Sequence, residues 1–267
     1  TMISEMNFFE RIVYILQNYG ISYLKGAGTT LLIALVSTAI GCVIGFAVGI
    51  VQTIPVDKKR DGIGKRFLLG LVKVILKAYV EIFRGTPMIV QAVFIYYGLS
   101  QMFQIQLGMW SAAFLVVSIN TGAYMAESVR GGIISVDPGQ MEGAKAIGMT
   151  HVQAMKNVIL PQAIRNIMPQ IGNNLIINIK DTSVLSVISI VDLFFVHKSV
   201  AGALYTYFES ATIVMAIYLT MTLVTSRLLL LVEKRMDGDA NYELVDTMDI
   251  GNQLRTVREN DGEGRRG

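Results

Sequence analysis

Three long tracts of this 267-residue chain contain no Asp, Glu, Lys or Arg: residues 26–56, 85–126 and 210–226. A helix of about 20 mostly apolar residues crosses the hydrocarbon core of a bilayer, and backbone in that core must satisfy its own hydrogen bonds. Soluble domains carry about 25% charged residues, whereas this chain carries 16%, with 52% hydrophobic residues and a mean hydropathy of +0.51. The pattern selects an all-α membrane protein. Five spans are expected, over about 29–53, 68–100, 110–130, 163–190 and 207–231. Residues 1–25 are then a segment outside the membrane, 26–235 the transmembrane domain, and 236–267 a polar cytoplasmic tail without periodicity, expected to be flexible.

Orientation follows from Lys and Arg, which concentrate in cytoplasmic loops. The stretch DKKRDGIGKR (57–66) is dense in them. Arg130, Lys145, Lys156 and Arg165 follow the third span, and Arg227, Lys234 and Arg235 sit at the end of the fifth. Loop 101–109 has none, and loop 191–208 has only Lys198. The N-terminus is therefore expected outside and the C-terminus in the cytoplasm. Residues 1–20 lack the compact apolar core of a cleavable signal peptide. The single cysteine, Cys42, cannot form an intramolecular disulfide framework.

Several residues punctuate the spans. Gly41, Gly45 and Gly49 form a strip on one helix face, which lets another backbone approach closely. Lys73, Lys77, Glu81 and Arg84 enter the second span, and Pro87 in RGTP (84–87) interrupts it. Lys77 and Glu81 can pair across one turn. Glu81 with Arg84 and Glu127 with Arg130 are expected to be structural ion pairs, a gate being the alternative reading.

Residues 137–161, DPGQMEGAKAIGMTHVQAMKNVILP, are polar and helix-coded between two hydrophobic regions. Asp137 and Gln140 have capping-box spacing, and Pro138 suits the first helical position. Gly148 suits a left-handed stop. Thr150 and Gln153 repeat the capping pattern, and Leu160-Pro161 is expected to end the second short helix. Gly143, Ala144, Ala146 and Met149 are read as an exposed, small, apolar face suited to a partner's groove. An ordinary interfacial hairpin is the alternative.

Lys180 and Asp181 lie within the fourth span, where a central charge costs about 2.5–3.5 kcal/mol on insertion scales and normally faces a cavity or a partner. Gln170, Asn174, Asn178 and Asp181 recur on one face. Asn174, Asn178, Lys180 and Asp181 are candidate contacts for a polar solute, joined by Met88 and Gln91 just past the break. Packing or an ion pair between spans would also account for them. His151 and His197 have no metal-ligand company, so no metal site is expected. No nucleophile–base arrangement and no G-x-x-x-x-G-K-[ST] phosphate loop occurs.

The segment EGAKAIGMTHVQAMKNVILPQA (142–163) resembles the cytoplasmic EAA loop of permease subunits of ABC importers, with Gly143 where many members have Ala. YVEIFRGTPMIVQAVFIYYGL (79–99), GAYMAESVRGGIISVDPGQ (122–140), NLIINIKDTSVLSVI (174–188) and GAGTTLLIALVSTAIGCVIG (26–45) resemble the polar amino-acid uptake branch. The likeness covers roughly 20–235. It implies a type I ABC importer permease fold in which loop 137–161 is a coupling-helix pair seated on an ATPase. Gln140, Glu142, Gly143, Ala144, Ala146, Gly148, Met149, Leu160 and Pro161 would then serve the coupling. It also implies a second permease, identical or homologous, two cytoplasmic ATPases that use ATP and Mg, and an external solute-binding protein. The setting would be a bacterial plasma membrane, with no cofactor bound by this chain and no enzymatic activity in it. The rival readings are an ion-gradient transporter or channel, for which inverted repeats are expected and none is seen, and a membrane scaffold that recruits a cytoplasmic partner.

Overall fold

A computed structural model describes residues 5–55 and 62–237. The polar tail beyond 237, and residues 56–61 of the basic loop, lie outside the described residues. Thr1–Leu231 form one packed unit; the second unit, Val232–Gly267, is described only through 237, as helix.

The described residues are helical apart from short connections. α1 is Phe8–Thr53, α2 Ile63–Gly85, α3 Met88–Phe103, α4 Met109–Ile134, α5 Pro138–Ala146, α6 His151–Ile188, α7 Leu193–Leu204 and α8 Tyr207–Asp237. α1, α4 and α8 are each long and apolar enough to cross a membrane, and α6 with α7, bent by 55°, pass the same test together. The second expected span does not form one rod, because it is divided at Thr86–Pro87 into the charged α2 and the shorter α3.

α1 starts well before the expected first span, so residues expected to lie apart from that span continue it. At 46 residues and about 1.5 Å per residue it is a rod of roughly 70 Å. Its start is fixed by Asn7 and Glu10, whose side chains satisfy each other's free backbone donors. Its early turns are held by burial of Ile15 and Tyr23 against Leu193, Val196, Val200, Ile213 and Val214 of α7 and α8.

The glycine strip sets the main contact. Gly41, Gly45 and Gly49 pack directly on Thr121, Met125 and Val129 of α4. The missing side chains bring the two backbones together and turn van der Waals contact into the cohesive force. A polar tie crosses the same junction: Asn178 of α6 donates to Thr38 Oγ1 of α1 at 2.7 Å and to Thr121 Oγ1 of α4 at 2.9 Å.

α7 occupies what the sequence suggested was a loop. Asp192 makes it possible, its carboxylate accepting from the backbone N–H groups of Phe194 (3.3 Å) and Phe195 (2.9 Å) at the helix start.

Candidate functional site

The knob at 137–161 is built by local hydrogen bonding. Asp137 Oδ1 accepts from Gly139 N at 2.7 Å, with Pro138 in the first helical position. The expected capping box is not made, because the Asp137 carboxylate accepts from Gly139 N and not from Gln140 N. Gln140 does not reach back to Asp137; its Oε1 accepts from Gln162 Nε2 of α6 at 3.4 Å, so a tertiary donor displaces the local one. α5 ends as the glycine requires: Gly148 has φ +88°, its N–H donates to Lys145 O at 3.0 Å, and Met149 N–H donates to Ala144 O at 3.1 Å. This is a Schellman stop, which satisfies two carbonyls left open at the helix end. Thr150 then caps α6 reciprocally with Gln153, at 2.9 and 3.3 Å.

Two further expectations about the knob are corrected. Leu160-Pro161 does not end the second helix. A turn widened to i→i+5 bonding over Met155–Ile159 leads into Leu160–Asp181 without a break. The widened turn accommodates the proline, whose ring crowds the carbonyl four residues earlier and which has no N–H to donate. Ala144 is not on the exposed face either; it is 5% exposed. Beneath the knob, Met141, Met155 and Leu160 pack on Val136, Ile159 and Ala163. Gln140, Glu142, Gly143, Ala146, Gly148 and Pro161 are exposed, and Met149 and Leu160 half-buried. The apolar tips that the sequence reading missed are Ile147 and Val152, 77% and 73% exposed on either side of the bend. Their signal was two aliphatic residues in an otherwise polar loop.

A second feature lies where α2, α3, α4 and α6 meet. A cavity of about 220 Å³ is lined by Thr86, Pro87 and Met88 at the break, by Asn120, Thr121 and Tyr124 of α4, and by Asn174, Ile177, Asn178 and Asp181 of α6. Asp181 carries the one formal charge among these residues. The structure thus brings Met88, Asn174, Asn178 and Asp181 together; Lys180 is exposed and lines neither this cavity nor the cleft described next. Asn120, Thr121 and Tyr124 were not anticipated, although three polar residues on adjacent turns of an apolar span were the available signal.

Gln91 is not in the wall. It is 6% exposed; its Nε2 donates to Phe83 O (2.9 Å), Thr86 O (3.0 Å) and Thr86 Oγ1 (2.9 Å), while its Oε1 accepts from Asn120 Nδ2 at 3.0 Å. It staples the α2–α3 break, satisfying carbonyls that Pro87 leaves without a helical partner. Asn178 lines the cavity, but both of its N–H bonds go to Thr38 and Thr121. Asn174 donates to Gln170 O (2.9 Å) and to Met125 Sδ (3.3 Å). Asp181 and Met88 make no such hydrogen bond among the described residues, which leaves them as the groups free to meet a solute.

Below the break, α2 and α4 flank a wider charged cleft of about 510 Å³ lined by Gln52, Lys73, Lys77, Val80, Glu81, Arg84, Glu127 and Arg130. Glu127 accepts two hydrogen bonds from Arg130, at 3.0 and 3.2 Å, as the sequence spacing anticipated. Arg84 does not pair with Glu81. It approaches Glu127 at 3.6 Å and lies over the Tyr124 ring, 5.5 Å from its centroid, while Glu81 pairs with Lys77 at 3.6 Å.

Among the described residues, no group of three His, Cys, Asp or Glu side chains could hold a metal ion. Residues 63–238 match the family described as binding-protein-dependent transport system inner membrane component. The chain is 36% identical over 219 residues to the nopaline transport system permease protein NocM of Agrobacterium fabrum, covering 79% of this chain and 86% of that one. It is 34% identical over 214 residues to the glutamine transport system permease protein GlnP of Escherichia coli, covering 80% and 92%. A crystal structure of an amino acid ABC transporter with histidines superposes with a TM-score of 0.74 at 35% identity, covering 86% of this chain and 99% of that one. The methionine ABC transporter MetNI, at 22% identity and a TM-score of 0.61, shares the fold. This chain therefore belongs to the binding-protein-dependent transport system inner membrane components, the family of non-enzymatic permease subunits of ABC importers.

Proposed function

We propose that this chain moves a polar amino acid across a bacterial plasma membrane by alternating access, driven by two ATPase subunits that grip the knob around Gly148. A second permease, identical or homologous, completes the pathway, and an external binding protein delivers the solute. The relatives named for nopaline and glutamine transport support the substrate class. The distribution of Lys and Arg supports five crossings with the N-terminus outside and the knob and C-terminus in the cytoplasm.

One observation carries the mechanical part. α6 is helical throughout from His151, at the knob, to Asp181, at the cavity, passing through the widened turn at Met155–Ile159 and the internal Pro169, a lever of about 45 Å. Force applied to Ile147 and Val152 by a closing ATPase pair is transmitted along this lever to the wall that holds Asn174, Asn178 and Asp181. Asp181 receives the solute's ammonium or amide, Met88 and Tyr124 pack on its carbon skeleton, and Asn178 keeps the wall in register with α1 and α4. Exposed Gln140, Glu142, Gly143 and Ala146 flank the docking surface, while buried Ala144 and half-buried Leu160 support it from beneath.

The test is reconstitution of the permease with its ATPase and binding protein in liposomes, followed by uptake of a panel of polar amino acids. Asp181→Asn should lower uptake by about tenfold or more, the scale of one charge-assisted hydrogen bond, with ATPase docking unchanged. ATP-independent uptake, or uptake indifferent to Asp181, would refute the reading.

A further inference from the structure

We propose that the cleft between α2 and α4 is a second station on the path, an anion site that takes the solute's carboxylate after it leaves the Asp181 cavity, with Arg84 and Lys77 as ligands. The inference rests on the reading of the chain as an amino-acid permease.

The two spaces have opposite character and share a wall. The upper cavity carries one formal negative charge, at Asp181. In the cleft, Lys73, Lys77, Arg84 and Arg130 face only Glu81 and Glu127, an excess of two positive charges. Tyr124 lines the cavity, while Arg84, lying over its ring, lines the cleft. Arg84 also stands two residues before Thr86, which borders the cavity at the break. A zwitterion is thus held by its ammonium on one side of this partition and drawn by its carboxylate on the other.

Hydrogen bonding shows which cations are available. Arg130 is committed to Glu127 through two short bonds. Lys73 donates to Ile54 O at the end of α1, at 2.5 Å. Arg84 meets Glu127 only at 3.6 Å, beyond hydrogen-bond length, and its guanidinium makes no hydrogen bond among the described residues. Its fork is therefore open to a carboxylate, for which that geometry is suited. Lys77 is exposed and only loosely paired with Glu81 at 3.6 Å, a contact that an arriving anion can replace. The cleft is also the larger space, about 510 against 220 Å³, so a solute there is less confined and closer to release.

A lipid phosphate offers the same chemistry as a carboxylate, and the experiment separates them. The assembled transporter is reconstituted with wild-type permease, Lys77→Gln, Arg84→Gln, Arg84→Lys or the double Gln variant. Uptake of L-glutamine and L-arginine is followed in liposomes of neutral phosphatidylcholine and in liposomes that also contain phosphatidylglycerol. The double variant should lose about tenfold in uptake rate, the scale of one charge-assisted hydrogen bond, with half-saturating external solute unchanged. Arg84→Lys should recover part of the rate. Raising lumenal salt from about 0.1 to about 1 M, which shortens the Debye length from roughly 10 to roughly 3 Å, should slow the wild type and leave the double variant unaffected. A merely structural role would not produce that salt difference. Lys77→Gln, at an exposed position, keeps the test valid if the Arg84 variants fail to assemble. Variants that match the wild type overturn the inference, and so do effects confined to liposomes with phosphatidylglycerol, which assign the cleft to lipid. A wild type that transports neither amino acid nor any other in the panel overturns the permease reading itself.

Discussion

Gly45→Ala tests the packing on which the rest of the molecule depends. A Cβ at Gly45 would collide with Met125 Cβ and stand 2.9 Å from both Ala126 N and Met125 C, where ordinary contact is 3.4–4 Å. All three are backbone atoms or a Cβ fixed to the backbone of α4 and cannot swing aside, so α1 and α4 must separate locally by about one ångström. Overpacking of this kind costs about 1–3 kcal/mol, even though alanine favours the helix by up to about 1 kcal/mol over glycine. Separation also strains the Thr38–Asn178–Thr121 tie in the same junction. At about 2–4 °C per kcal/mol, the unfolding midpoint in detergent should fall by about 2–12 °C. Gly28→Ala is the control, because nothing lies within 4 Å of its added Cβ; the same helix-propensity gain should leave its midpoint equal or slightly higher. The assay is a thermal melt of the purified chain followed by monodispersity. If Gly45→Ala melts with Gly28→Ala, the glycine strip does not set the α1–α4 distance and the packing argument is wrong.

Gly148→Val should weaken ATPase binding to the permease in nanodiscs by about tenfold, because a β-branched residue at φ +88° costs about 1–2 kcal/mol. Gly148→Asn should be milder, and equal affinities for the two would refute the role of the bend. At the break, Gln91→Leu should destabilise by about 1–3 kcal/mol through the carbonyls of Phe83 and Thr86 that it leaves unpaired. Gln91→Glu should be worse, since a carboxylate there faces two carbonyl oxygens; a Glu variant as stable as wild type in the melt would show that Nε2 is not the staple.

Much of the scaffold was legible because its signals are local. Gly148, Thr150 with Gln153, and Glu127 with Arg130 each act within about a turn of helix, so spacing along the chain was enough to anticipate them. The Pro87 break and the Gly41–Gly45–Gly49 strip were legible for the same reason. The candidate solute wall was legible only in part. Asp181 and Met88 point into the cavity, whereas Gln91, two turns past the break at most, turns inward. Asn178 lines the space with its donors already taken.

What could not be read were choices made across helices. Arg84 had a carboxylate one turn away at Glu81, yet approaches Glu127 on α4. Gln140 left its own cap for Gln162 on α6. α7 formed inside an apparent loop, and α1 began near Phe8, because each found apolar surface on another element. The sequence alone determined that the chain belongs in lipid as helices, where it bends, and which residues are too polar to face lipid without purpose. Only the tertiary structure decided which polar group meets which, because partner choice depends on the rotation and separation of packed helices. Those are set by close contact between residues such as Gly45 and Met125 and cannot be read from spacing along one strand of sequence.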